Sequence, residues 1–365
     1  MDQPRLFVPK DWGKRGYRLV TDFTKLNQAV ERPVHPFPAT RDCLNTITLD
    51  SKYFAKLDAV QGYFQIPLAE ESRDLTTFIV PRGKFRYKVA PMGLNSSNDE
   101  FCARTDPAVA GYDWAVKIVD DILLQAPDLS TLLKRIRLVL DRCREMGITI
   151  SLKKLEVGQK IKFAGHIVSA DGVQPDPEKT QAITDFPAPK NLTELRSFLG
   201  LANQLANFVP DLTQMTSNMR QLLKKSSTYN WLPDHQLEFE KVKTLLTSDL
   251  LVKPFDPSLP TELLTDASRL YELGFLLWQR DGTNTPRVVH CGSVALTDAQ
   301  RNYAVVELEL LAVQWAIQKC SFYLRGMKTF TVITDHRPLV GIFAKDLHTI
   351  ENTRLLRLRM KLTEY

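Results

Sequence analysis

The 365-residue chain is poor in cysteine, and its five cysteines are not placed to act together. Cys43, Cys102, Cys143, Cys291 and Cys320 are scattered, odd in number and never spaced as CxxC. That argues against a disulfide framework and a cysteine-based zinc site, and for a reducing compartment. Long apolar runs are missing as well: no stretch approaches the roughly 18–20 residues that span a bilayer. The opening "MDQPRLFVPKDWGKRGYRL" is mixed and charged, unlike a signal sequence. The expectation is an intracellular protein with no membrane partner. No internal repeat or low-complexity tract interrupts the chain. Charge of one sign is also scarce, with 48 Lys and Arg against 42 Asp and Glu. A net charge of +6 permits a polyanionic partner without requiring one. What is present is an ordinary globular composition, 44% apolar and 25% charged, in a chain long enough for two or three domains.

Residues up to about 95 read as strands and loops. "YRLVTDF" alternates, "ERPVHPFPAT" is a proline-broken connection, and "YFAKLDAV" and "GYFQIPL" read as strands. "TTFIV" and "KFRYKVAP", joined by "PRG", read as a hairpin. A helix follows, capped by Asp128 or Ser130, with Leu133, Ile136, Leu140 and Cys143 on one face and Gly147 as its stop. "IKFAGHIVSADGVQP" reads as another hairpin. Asp176 with Pro177, and Asn191 with Glu194, mark two further helix starts. After "LLVKPFDPSLP" strands return in "TELLTDAS", "LGFLLWQRDG" and "RVVHCGSVAL". A helix from about Tyr303 to Cys320 and a strand "TFTVITD" complete the pattern.

The stretch "VKIVDDILLQ" sets a physical problem. Asp120 and Asp121 stand side by side between two apolar runs, where like charges repel and desolvation is costly. A hairpin tip allows neighbouring carboxylates to share a cation, because successive strand residues point to opposite faces. Oxygen-only ligands suit Mg²⁺, and Asp58 at the end of "YFAKLD" supplies a third carboxylate. Two ions about 3.5–4 Å apart activate an attacking hydroxyl and stabilise a leaving phosphate, so the pattern suggests nucleotidyl transfer. A solvated turn is the other reading of the same pair, and spacing alone leaves both open.

Resemblance takes the argument further. In order, "RLVTDFTKLN", "YFAKLDAVQGYFQI", "APMGLNSS" and "VKIVDDILLQ" resemble the polymerase blocks of reverse transcriptases. "IKFAGHIVSADGVQPDPEKTQAI" and "PKNLTELRSFLGLAN" resemble the gypsy-type LTR retrotransposon enzymes. "ELLTDAS", "RNYAVVELELLAVQWA" and "FTVITDHRPLVG" resemble the RNase H domain fused behind that polymerase.

The resemblance implies an α+β multidomain fold: a right-hand polymerase of fingers, palm and thumb, a connection, and an RNase H-like α/β domain. Residues 1–150 match fingers and palm, and 151–225 match the palm end, primer-grip hairpin and helical thumb. Residues 226–257 fall to the connection and 258–365 to the RNase H-like domain. It implies that Asp58, Asp120 and Asp121 are the polymerase's catalytic metal ligands, the last two within the family's YxDD motif, whose aromatic is here Ile118. Lys10 and Arg18 match basic residues that contact the incoming triphosphate. Tyr63 matches the residue under the sugar that favours dNTP over rNTP, and Met92 the loop against the nascent base pair. "FAGHIVS" matches the primer-gripping hairpin; His166 within it carries no assigned chemistry.

Asp266, Glu309 and Asp335 match the RNase H metal ligands, with Glu307 a candidate for the same role or a solvated helix residue. Glu309 flanks the buried side of its helix. Two Mg²⁺ or Mn²⁺ ions per centre are implied. The implied partners are RNA or DNA template with primer, RNA–DNA hybrid and dNTPs, and the implied setting is the cytoplasm or a virus-like particle. The family's fourth RNase H acid is expected downstream of "KLTEY" and further fingers sequence before "LFVPK", so the chain reads as a piece of a polyprotein. Two other functions stay open: a binding protein whose fold holds nucleic acid without chemistry, and a nuclease working only through its C-terminal centre.

Overall fold

The computed structural model describes residues 5–9, 17–38, 40–224, 227–248, 250–269, 272–282 and 286–365, with side chains from residue 20 onward. It divides into two compact units, Met1–Ala164 and Gly165–Tyr365. Among the described residues no helix is long and apolar enough to cross a membrane, and all five cysteines are buried and outside any disulfide.

In the first unit, β1 (Arg5–Pro9) and β2 (Tyr17–Thr21) pair antiparallel, with Val8 opposite Arg18. Next come β3 (Tyr53–Asp58) and the hairpin of β4 (Phe78–Val80) with β5 (Gly83–Phe85), the turn expected at "PRG". A second hairpin, β6 (Ala115–Ile118) with β7 (Asp121–Ala126), and the short β8 (Glu156–Gly158) then form one antiparallel sheet with β3. Its order is β6-β7-β3-β8. β9 (Lys160–Phe163) ends the unit.

The helix Leu129–Glu145 covers this sheet. The side chain of Asp128 accepts a hydrogen bond from the Thr131 amide at its start, and Gly147, at φ 71°, follows its end. Leu132, Ile136, Val139 and Cys143 pack on Ala55, Leu57, Ile122 and Leu124. Leu133, expected inside, is 56% exposed. Leucines at 132 and 133 make two adjacent apolar stripes in the sequence, and the strands it packs against select the earlier one.

"GYFQIPL" departs from expectation, because Gly62–Gln65 form a 3-10 turn and not a strand. Gln61 takes a left-handed conformation and Gly62 lies so close to Phe101 that a Cβ there would meet the ring at 2.9 Å. The chain therefore turns at the point where strand periodicity alone would carry it straight on.

The second unit opens with the hairpin of β10 (His166–Ser169) and β11 (Gly172–Pro175). Helices Pro177–Thr184 and Leu192–Gln204 start where the caps predict: Asp176 accepts from the Glu178 amide, and Asn191 from the amides of Thr193 and Glu194. With Pro233–Leu246 they enclose a core that includes Ile183, Leu195, Phe198, Phe239 and Val242.

β12 (Thr261–Ala267), β13 (Glu272–Gln279), β14 (Arg287–Ala295) and β15 (Thr331–Ile333) form a sheet in the order β14-β13-β12-β15. Only the β12/β15 pair is parallel. The helix Val305–Lys319 packs Leu310, Val313, Ala316 and Ile317 on Leu263, Phe275, Leu277 and Val289.

Candidate active sites

The β6/β7 hairpin reverses over Val119 and Asp120 alone. Val119 has φ 53°, a left-handed conformation that a β-branched residue adopts only at a cost of order 1–3 kcal/mol. That tight reversal sets Asp120 at the tip and Asp121 at the head of β7. Asp121 lies directly opposite Asp58 in the β3/β7 ladder, so register brings the two carboxylate-bearing strand ends together. The amide of Ala59 donates to the Asp120 carbonyl at 3.1 Å, fixing the tip against the end of β3.

The electrostatics at this end are strained. Burial raises the Asp120 carboxyl above its usual range, and the nearby charges of Asp58 and Asp121 add to the effect. Asp121 is raised too, chiefly by burial, with the cations of Lys56 and Lys154 opposing. The Oδ1 atom of Asp120 is buried without a hydrogen-bond partner. Asp58 is occupied: Lys154 Nζ lies 2.8 and 2.9 Å from its two oxygens. Sequence reading misses Lys154, which stands 96 positions away with no local pattern to mark it. Behind the hairpin the buried Lys117 of β6 bonds to Asp106 Oδ1 at 2.7 Å.

Tyr63 borders the same tip. Its hydroxyl donates to Asn98 Oδ1 at 3.1 Å, and its ring meets Phe101 edge-on at 5.8 Å between centroids. Burial first, then the charge of Asp120, pushes the phenol up to about 12. Met92 is half-buried beside Gly93, at φ 93°, whose carbonyl accepts from Asn27 Nδ2 at 2.9 Å. Arg18 lies in β2, where only the backbone is described, and Lys10 lies outside the described residues.

The second cluster is tighter. Parallel pairing sets Leu264 beside Ile333, and two residues further along stand Asp266, still in β12, and Asp335, just past the end of β15. Glu309 approaches from the helix Val305–Lys319. At 3.6 residues per turn it falls between Ala312, Val313 and Ala316, all fully buried, so its carboxylate sits within the apolar face. Oxygens of Asp266, Glu309 and Asp335 lie within 4.8 Å of one another. Among the described residues these are the acids gathered this closely; Asp58, Asp120 and Asp121 share one sheet end without converging to that degree. Burial, then Asp335 and Asp266, raises Glu309 to about 7, and its Oε2 is buried with no partner. Opposite Asp266 stands Gly274, and a Cβ there would meet nothing within 4 Å, so the space beside the aspartate is open.

Glu307 plays neither of its expected roles. It is buried, accepts from the Ala304 amide at 3.0 Å, and is held by Arg354 Nη1 at 2.7 Å and Asn352 Nδ2 at 3.0 Å. Its carboxyl falls below the usual range because these donors outweigh its burial. It anchors the helix carrying Glu309 to the start of the helix Thr353–Met360.

Both sets of acids offer only oxygen donors, and each has one buried oxygen with no partner. That is the donor chemistry of a hard divalent cation.

Comparison with known proteins agrees with this geometry. Residues 8–168 match the family of reverse transcriptases (RNA-dependent DNA polymerases), and residues 256–365 the RNase H-like domain found in reverse transcriptase. The Tf2-3 transposon polyprotein of Schizosaccharomyces pombe is 31% identical over 366 residues, covering 99% of this chain and 27% of that one. The retrovirus-related Pol polyprotein from transposon opus of Drosophila melanogaster is 32% identical over 372 residues, covering 98% and 36%. The chain thus spans about a quarter to a third of the curated relatives it matches. The foamy viral protease-reverse transcriptase in complex with dsDNA superimposes with a TM-score of 0.85 at 21% identity, over 100% of this chain and 76% of that one. The same enzyme in complex with an RNA/DNA hybrid gives 0.82 at 21% identity, over 100% and 49%. Sequence blocks, strand register and both carboxylate sets converge on one conclusion: the chain belongs to the reverse transcriptases that carry an RNase H-like domain.

Proposed function

We propose that this chain is an RNA-directed DNA polymerase, able also to copy DNA, that extends a primer with dNTPs. Asp58, Asp120 and Asp121 are its polymerase carboxylates. Asp266, Glu309 and Asp335 form a second centre that cuts the RNA strand of RNA–DNA hybrids. The observation that carries the reading is that each centre holds a buried carboxylate oxygen without a partner, Asp120 Oδ1 in one and Glu309 Oε2 in the other. Leaving such atoms unpaired is costly, and a bound cation removes the cost.

Mg²⁺ or Mn²⁺ fits both donor sets, and two such ions, when bound, supply Lewis acidity to the attacking and leaving oxygens of phosphoryl transfer. The rest falls to the chain's own side chains. Asp58 gives up the Lys154 ammonium when it turns to a cation. Glu309, raised to about 7, loses its proton before it serves as a ligand. Tyr63, braced by Phe101 and Asn98, offers a rigid face beneath the sugar of the incoming dNTP. Lys10 and Arg18 are assigned to its triphosphate and Met92 to the nascent base pair.

The nucleic acids in the two foamy viral complexes support template–primer and hybrid as partners. Protein groups meet such duplexes mainly at phosphate and sugar, so binding weakens steeply as salt rises. The blocks "FAGHIVS" and "PKNLTELRSFLGLAN" support placement among gypsy-type elements. A second reading, a binding protein without chemistry, draws on Ile118 in the YxDD position and on the ammonium that holds Asp58. Primer extension on an RNA template, beside Asp120→Asn, separates the two.

A further inference from the structure

Within the second unit, a cleft of about 210 Å³ lies between the short helix Ser217–Gln221 and the segment Ala295–Arg301. Its polar lining comprises the cations Arg220, Lys224 and Arg301 with the neutral side chains of Thr213, Ser217 and Gln221. Among the described residues no carboxylate lines it. Arg220 is fixed by neutral acceptors, Nε to Thr216 Oγ1 and Nη2 to Asn203 Oδ1, both at 2.8 Å. Arg301 reaches the almost fully exposed Asp298 at 3.1 Å through Nη1, while its Nε is buried with no partner.

Two acids, Glu238 and Glu272, stand nearby. Glu238 accepts from the amides of Asn218 and Met219 and from the Ser217 hydroxyl. Glu272 acts electrostatically on Arg220 and bonds to Ser293, Gln214 and Thr213, while its Oε2 is buried with no partner. A guanidinium whose Nε and Nη2 are held by neutral groups, a second with an unmet buried donor and a lysine at the rim together suit an oxyanion.

We propose that this cleft binds a phosphate of the nucleic-acid backbone, so that the helices after residue 177 and the Asp266 sheet grip one strand of the hybrid together. The inference rests on the reading of the chain as a polymerase and nuclease acting on RNA–DNA hybrid. A phosphodiester suits the site because guanidinium groups meet two of its oxygens at once, whereas sequence plays no part.

The test measures binding of a labelled RNA–DNA hybrid by fluorescence anisotropy across a salt series, in wild type and in Lys224→Gln/Arg301→Gln. The logarithmic salt slope should become shallower by about one for each phosphate no longer neutralised, with weaker binding at low salt. Gln221→Glu, on the exposed rim, adds a negative charge with almost no change of side-chain size. It should weaken binding in the same direction, which separates the effect from misfolding. An unchanged slope in all variants overturns the proposal while leaving wild-type hybrid binding, and so the broader reading, intact. Absence of hybrid binding by wild type overturns both. Inorganic phosphate that raises the wild-type melting temperature but not that of the variants, with hybrid slopes unchanged, would make this a free-anion site and overturn the backbone assignment.

Discussion

The ammonium of Lys154 sits 2.8 and 2.9 Å from the two oxygens of Asp58, in the position where a cation would meet that carboxylate. The ion pair neutralises part of the charge that gathers where β3 ends opposite the Asp120–Asp121 tip. Lys154 itself is 64% exposed, so the pair is weak in stability terms, about 1 kcal/mol or less.

Removing the ammonium should help a metal and not hurt the fold. Lys154→Met is expected to bind Mn²⁺ several-fold more tightly at the first centre, read by titration in an Asp335→Asn background that silences the second. Weaker Mn²⁺ binding would mean that Lys154 organises Asp58 for the cation instead of competing with it.

The second centre should respond to divalent cations as a stability effect. Saturating Mn²⁺ or Mg²⁺ relieves the repulsion among Asp266, Glu309 and Asp335, and a ligand at a hundred times its dissociation constant stabilises by about 2.7 kcal/mol. The melting temperature of the Asp120→Asn protein should rise with metal, and Glu309→Gln should remove most of that rise. A rise that survives Glu309→Gln would take Glu309 out of the ligand set.

Acidity should act in a set direction. Glu272 is raised from 4.5 to about 7, mainly by burial, and Glu309 moves likewise. Between those values the folded protein holds more protons than the unfolded one, so stability falls as pH rises from about 4.5 to about 7 and then levels. The slope is at most about 1.4 kcal/mol per pH unit for each group. With chelator present, thermal melts should show this decline, and Glu272→Gln should flatten it and stabilise the protein near pH 8. Unchanged pH dependence in Glu272→Gln would show that its carboxyl titrates normally.

Packing beneath the first centre is close. Gly62→Ala sets a methyl 2.9 Å from the Phe101 ring, which is itself buried, so the ring or the turn must shift. Overpacking of this kind costs about 1–3 kcal/mol. Because Tyr63 leans on Phe101, discrimination between dNTP and rNTP should fall along with stability. An unaltered preference in single-nucleotide incorporation would separate Tyr63 from sugar selection.

What the sequence discloses here is what lies close along the chain. The caps at Asp128, Asp176 and Asn191 are settled within a few residues, the hairpin at "PRG" by its turn chemistry, and that at "VKIVDDILL" by the two apolar runs that flank the acids. Tertiary choices are not legible there. Lys154 and Asp58, or Glu307 and Arg354, meet only once distant strands and helices have packed. The helix Leu129–Glu145 offers two apolar stripes and its sheet decides between them. Periodicity puts Glu309 beside the buried side, yet it lies within it, because both neighbouring stripes of its helix are covered. "GYFQ" carries strand-like residues yet turns, since packing against Phe101 outweighs local propensity.

The account stands on Asp120 and Asp121 being a catalytic pair, and extension of a DNA primer along a labelled RNA template tests it most directly. With dNTPs and Mg²⁺ or Mn²⁺, wild type should lengthen the primer and shorten the template, while Asp120→Asn should bind the same duplex with unchanged affinity and extend nothing. Extension by Asp120→Asn at the wild-type rate would contradict the assignment, and failure of wild type with either metal, despite salt-sensitive duplex binding, would leave a nucleic-acid binder in place of a polymerase.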